Sequence, residues 1–139
     1  MPVIMGDLVH VHTDERRSIS ELNSPDGGFS VQSFEIMKSI PLGNHYHRNK
    51  FEVFIILRGM ADLIIQDINP EDSSPIGEPI STRVGEGMAI KILPFTAHTF
   101  TFVSDPDPQI RPLESEPAEM ICFSSQPFDQ SDLIQHKLV

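Results

Sequence analysis

The sequence predicts an all-β barrel built from a single domain. Twelve prolines and eight glycines are spread along the 139 residues. Between them lie short runs rich in Val, Ile and Phe, the composition of strands bounded by turns. No stretch sustains the 3.6-residue apolar period of a long helix. A hydrophobic content of 39% is enough for one compact core, and the chain is too short for two ordinary domains. The expected organisation is one domain over 1–139, with a barrel core over about 29–125, an N-terminal arm over 1–28 and a C-terminal tail over 126–139.

The elements follow in order. Segment 29–38, FSVQSFEIMK, alternates as a strand does, with Gln32, Phe34 and Ile36 on one face and Ser33, Glu35 and Met37 on the other. The pattern does not fix which face looks inward. Residues 51–58, FEVFIILR, are apolar on both faces, as expected of a strand covered on both sides. Gly59 breaks that run, and 60–66, MADLIIQ, reads as the return strand of a hairpin. The polar, proline-rich stretch 67–79 reads as a loop. Strands are expected at 87–93, GMAIKIL, and 98–103, HTFTFV, followed by an exposed loop over 104–117 and a last strand at 118–125, AEMICFSS. The end, from about Ser131, is expected to be a short helix or frayed.

Charge narrows the partners. A formal net charge of -10 and the absence of any long Lys/Arg run disfavour nucleic acid and anionic membrane surfaces. The single cysteine, Cys122, has no partner for an internal disulfide and is expected to pack as a small core hydrophobe. The N-terminal MPVIMGDLVHVHTDE lacks the apolar centre of a secretory signal, and no apolar stretch approaches the ~20 residues that span a bilayer. The expected location is cytoplasmic.

Candidate chemistry is concentrated in GNHYHRNKFEVFIILRG, residues 43–59. Residues i and i+2 of a strand share a face, so His45 and His47 can aim at one point. Glu52 lies an odd number of residues further on, so a bend near Arg48, Asn49 and Lys50 must re-aim it. His98, in PFTAHTF, opens a later strand and can meet them across a barrel. Three imidazoles and a carboxylate suit a borderline divalent ion, and zinc, iron, manganese, nickel and copper all accept such ligands. Glu52, flanked by Phe51 and Val53, shows no lysine expected on its face, and a buried carboxylate without a cation is costly. A metal would remove that cost.

Phe54 and Ile56 follow Glu52 on its face, and Phe100 and Phe102 follow His98. With Gln32 and Phe34 they are the candidate substrate-pocket residues. Tyr46, between two ligands, should face away from them, and no catalytic acid or base can be named. A second H-x-H pair, His10 and His12, has no further ligand at a suitable spacing and reads as solvated.

HYHRNKFEVFIILRG, residues 45–59, resembles the first motif of the cupin superfamily: two histidines, a glutamate after four intervening residues, and a glycine after six more. GEGMAIKILPFTAH, residues 85–98, is similar to the second, with Phe95 where a glycine usually stands between the proline and the histidine. The resemblance implies a double-stranded β-helix, or jelly roll, with the metal inside. DERRSISEL (14–22), GNHYH (43–47) and FSSQPFDQSD (123–132) further resemble the cupin domains of sugar-nucleotide epimerases and isomerases of capsule and surface-polysaccharide pathways.

Three kinds of function follow. An isomerase, epimerase or cyclase would use the metal as a Lewis acid on a carbonyl-containing small molecule. A metal-dependent dioxygenase would use the same ligands with a redox metal. A non-catalytic small-ligand-binding barrel would hold its ligand without turnover. An apolar interior suits a carbon-rich ligand, whereas a sugar diphosphate would call for several Arg or Lys groups. Val53, Ile55 and Leu57, pointing away from the metal, call for a cover, and a homodimer is the expected form.

Overall fold

Strict alternation along the central strands sets the architecture. In Glu52–Arg58 the side chains of Glu52, Phe54 and Ile56 are buried, while Val53 and Ile55 are half-buried and Leu57 is exposed. In Ala118–Ser124 the buried positions are Ala118, Met120, Cys122 and Ser124. Such strands bury one face fully, so a second sheet must pack over it. The computed structural model of the protein describes residues 7–23, 28–103 and 116–139 and shows two antiparallel sheets facing each other.

The strands are β1 (Val9–Thr13), β2 (Arg17–Asn23), β3 (Ser30–Ile36), β4 (Leu42–His47), β5 (Glu52–Arg58), β6 (Met60–Ile68), β7 (Pro75–Gly85), β8 (Ala89–Ile92), β9 (Thr96–Val103), β10 (Ala118–Ser124) and β11 (Leu133–Gln135). One sheet runs β1-β2-β3-β10-β5-β8 and the other β11-β4-β9-β6-β7. The chain crosses between them after most hairpin arms, as in the expected jelly roll. The core between the sheets is formed by Phe34, Ile36, Phe54, Ile56 and Met120 from one side and Leu42, Leu63, Phe100 and Phe102 from the other. Each such side chain contributes about 1.5–3 kcal/mol by leaving water.

Several boundaries differ from the sequence expectation. Only 69–74 of the expected 67–79 loop is a connection, because Pro75–Gly85 pairs along β6 from Ile68 to Met60. β7 is an edge strand exposed over most of its length, which is where prolines and polar residues are tolerated, so it lacks an apolar signature. The supposed N-terminal arm contributes two strands, and β2 pairs with β3 over its whole length. The helical part of the supposed tail is limited to one short 3₁₀ helix, Gln130–Asp132, which leads into β11, a strand the sequence did not predict and which pairs with β4. Most of the expected 104–117 loop lies outside the described residues. Among the described residues no helix is long and apolar enough to cross a membrane.

Two backbone irregularities position the site. The β4–β9 register skips Asn44, so that Gly43 faces Thr99 and His45 faces His98. This bulge reverses the phase of the strand and lets Leu42 and His45, three residues apart, both point inward. Gly43 has φ +122°, and a Cβ there would lie 2.6 Å from the His98 carbonyl oxygen, so glycine alone fits. Phe95, at the position where the resembling motif has glycine, adopts φ +59°. It is held there by hydrogen bonds from its own N–H to the His47 carbonyl and from the Ile68 N–H to its carbonyl, at 2.7 and 2.9 Å.

Candidate metal centre

β4 supplies His45 and His47 after the bulge, β5 opens with Glu52, and β9 carries His98. The chain leaves one sheet at His47 and enters the other at Glu52, which is how an odd spacing still converges. One ligand atom from each of the four residues lies within 4.8 Å of all the others. His47 Nε2 is 3.1 Å and His98 Nε2 is 3.4 Å from Glu52 Oε1. All three atoms are buried and none makes a hydrogen bond. Buried polar atoms left unpartnered cost roughly 1–3 kcal/mol each, and a shared cation would satisfy them together. The group could hold a metal ion, and its donor set fits one.

The protonation states agree. Burial, and then the His98 and His47 rings beside it, push His45 down to about 3, which keeps its imidazole neutral and able to donate a lone pair. Burial works against ionising Glu52, but the adjacent His47 and His98 rings outweigh it and hold its carboxyl well below the usual range. His98 Nδ1 donates to the Thr96 carbonyl at 3.0 Å, so Nε2 carries the free lone pair that faces the cluster.

Three residues that sequence reasoning did not place around the cluster hold it from behind. Asp132, 2% exposed, accepts hydrogen bonds at Oδ1 from the Arg48 and Asn49 N–H groups, both at 2.8 Å. Its unpartnered Oδ2 lies 3.8 Å from His47 Nδ1. A carboxylate there favours the tautomer with Nδ1 protonated and Nε2 free. Cys122 packs in the core as expected, but its thiol also donates to Glu52 Oε2 at 3.2 Å. Burial and the Glu52 carboxylate push that thiol far up, so it is a donor and not a thiolate.

Lys50 corrects the expectation that no lysine stands near Glu52. It is 6% exposed, and its ammonium is 4.0 Å from Glu52 Oε2. The bend before β5 turns residue 50 inward, the same side as residue 52. The lysine addresses Oε2 and leaves Oε1 to the cluster.

The cluster opens into a cavity of about 230 Å³. Of the candidate pocket residues, Gln32, Phe34, Phe54 and Phe100 line it, with the Phe54 and Phe100 rings 4.8 Å apart between centroids. Ile56 and Phe102 do not: both are fully buried deeper between the sheets, two residues beyond Phe54 and Phe100 along their strands. Ile19, Leu42, Met120, Phe128 and Leu133 line it as well, so the wall beyond the cluster is largely apolar as expected, but Arg17 and Lys50 add two cations that the expectation lacked. Alternation of Arg17 with Ile19 in a strand would have pointed to Arg17. Nothing in the local sequence marks Asp132. Tyr46 faces away from the ligands, as expected, and packs on Phe95 in a separate small cluster. His10 and His12 are exposed, bonded to Thr13 and Asp14.

Two facing antiparallel sheets with three histidines and a glutamate gathered between them define a cupin. More narrowly, the chain belongs to the polysaccharide biosynthesis C-terminal domain family, whose model matches residues 12–110. Among solved structures it is similar to the capsular polysaccharide assembling protein CapF from Staphylococcus aureus, at TM-score 0.73 and 20% identity over 96% of this chain and 33% of that one. Oxalate decarboxylase OxdC from Bacillus subtilis superposes at TM-score 0.67 and 15% identity, over 93% and 30% of the two chains. Vicilin from hazelnut, Corylus avellana, does so at 0.63 and 13%, over 84% and 32%. At these identities the likeness is one of fold, and this chain spans about a third of the length of each. Among curated proteins no significant sequence match is found.

Proposed function

We propose that this domain binds one divalent cation through His45, His47, Glu52 and His98 and acts on a carbonyl-containing small molecule, as an isomerase, epimerase or cyclase. The observation that carries this reading is the convergence of buried, unpartnered ring nitrogens and a carboxylate oxygen beside a cavity. A bound divalent cation supplies Lewis acidity, which makes the C–H next to a carbonyl acidic. The chain's own residues do the remainder. Lys50 sets a second positive charge beside the cluster, where negative charge would build on a substrate oxygen. Phe34, Phe54 and Phe100 keep water from the reacting carbon.

Family membership supports a sugar as the carbonyl compound. The similar CapF is described as assembling capsular polysaccharide, and a second structure of it contains the inhibitor 3-isopropenyl-tropolone. Tropolones present two adjacent oxygens, a chelating pair suited to a divalent cation. The test is solvent exchange: the zinc-loaded protein is incubated with keto-hexoses in D₂O and the α-proton signals are followed by NMR. The reading expects exchange with the wild type and none with the His47→Ala, Glu52→Ala double variant. Oxygen uptake by the iron-loaded protein, with no exchange under zinc, would favour a dioxygenase.

A further inference from the structure

The cavity is cationic although the chain is strongly acidic. Among its lining residues Arg17 and Lys50 stand against the single carboxylate of Glu52, in a protein of net charge -10. A divalent ion at the cluster would add to that excess. The two cations sit in different places. Along the sheet, Glu52 pairs with Ser124, Ser124 with Ser30, and Ser30 with Asn23, at one end of β2, whereas Arg17 pairs with Ile36 at the other. Between the ends lie Ile19, Phe34, Phe54 and Phe100.

Arg17 is not held by a carboxylate there. Of the two acids just before it, Glu15 pairs with Lys38, while Asp14 accepts from the Arg16 and Arg17 N–H groups with Oδ1 and has its Oδ2 taken by the Arg16 guanidinium and the His12 ring. The Arg17 guanidinium has no ion pair among the described residues, and its Nε is buried without a hydrogen bond. A planar guanidinium on a cavity wall, with its Nε–H unpartnered, is suited to donate two parallel hydrogen bonds to an anion. Volume limits the occupant, since about 230 Å³ is below the roughly 300 Å³ at which pockets for drug-sized ligands begin. A single sugar ring fits that space, whereas most of a nucleoside diphosphate would have to lie outside it.

We propose that the cavity takes a small organic anion, a compound of single-ring size whose carboxylate or phosphate is held by Arg17 at the end opposite the histidine–glutamate cluster. This deepens the reading above by naming the charge of the substrate, and it rests on that reading only for the group placed at the cluster.

Calorimetric titration of the full chain with glucose, glucuronate and glucose 6-phosphate tests it, on zinc-loaded and on EDTA-treated protein. At least one anionic sugar should bind about tenfold or more tighter than glucose, and the tighter of the two identifies carboxylate or phosphate. In R17Q that margin should disappear with zinc uptake unchanged, and R17K should keep most of it. Equal binding of all three sugars, no binding of either anion at millimolar concentration, or a margin that survives in R17Q overturns the proposal. An Arg17-dependent margin in a protein that takes up no zinc upholds the anion site while the metal reading fails. Zinc uptake without any margin defeats the anion site alone.

Discussion

The chain contains the same short motif twice, and the two copies end differently. His10-Val11-His12 lies on β1, an exposed edge strand, and His45-Tyr46-His47 on β4, facing the core. Each sits beside a bulge. In β1 the irregularity falls between the histidines, setting His10 opposite Ser20 and His12 opposite Ile19, neighbouring residues on opposite faces of β2. In β4 it falls before His45, so that His45 and His47 keep a common face. Where the extra residue is inserted therefore separates two solvated rings from two candidate ligands. What surrounds them completes the difference: His12 meets the half-buried Asp14 near the surface, while His47 is backed by the buried Asp132 and faces Glu52.

The contrast can be broken at the bulge. Gly43→Ala forces a Cβ against the His98 carbonyl at a positive φ, and should destabilise the fold by about 1–3 kcal/mol or more and weaken metal binding by displacing His45 against His98. Urea unfolding and a metal-competition titration would measure both. Asp132→Asn keeps an acceptor for the Arg48 and Asn49 N–H groups but removes the charge behind His47. It should lower metal affinity by about 10–100-fold while costing little stability.

A smaller effect is expected from acid on the metal-free protein. The unfolded chain protonates His45 near 6.5, whereas the folded protein resists until about 3. Stability from this group is therefore complete above about pH 6.5 and is lost as pH falls towards 3. Glu52, held low in the fold, adds a loss of the same sign below about 4.5. The urea midpoint should fall between pH 7 and pH 4.5, and less so in His45→Gln. Smallest of all, His10→Ala with His12→Ala should leave metal content unchanged and stability within about 0.5 kcal/mol.

Much of this was legible in the sequence, for identifiable reasons. The central strands β5, β6, β9 and β10 announce themselves because their alternation records burial on one face. His45, His47, Glu52 and His98 were legible because their spacing, with Gly59 and Pro94, forms a pattern that resembles a known family. β7 was not, since an exposed edge strand needs no apolar face. Asp132 was not, because it reaches His47 only through the pairing of β11 with β4, across 85 residues of chain that local patterns cannot bridge. Ile56 and Phe102 share faces with pocket residues, but alternation gives direction and not depth, and they lie too far along their strands to reach the cavity. Lys50 was not legible either, because it lies in the bend before β5, where strand alternation does not fix the direction of a side chain.

The central claim is that four side chains from three strands make one metal site, and elemental analysis of protein purified without chelator or added metal tests it most directly. The account predicts close to one equivalent of a divalent transition metal in the wild type and in the His10→Ala, His12→Ala variant, and none in His47→Ala, Glu52→Ala. A folded wild type that carries no metal even after reconstitution, or a double variant that retains it, would contradict the account.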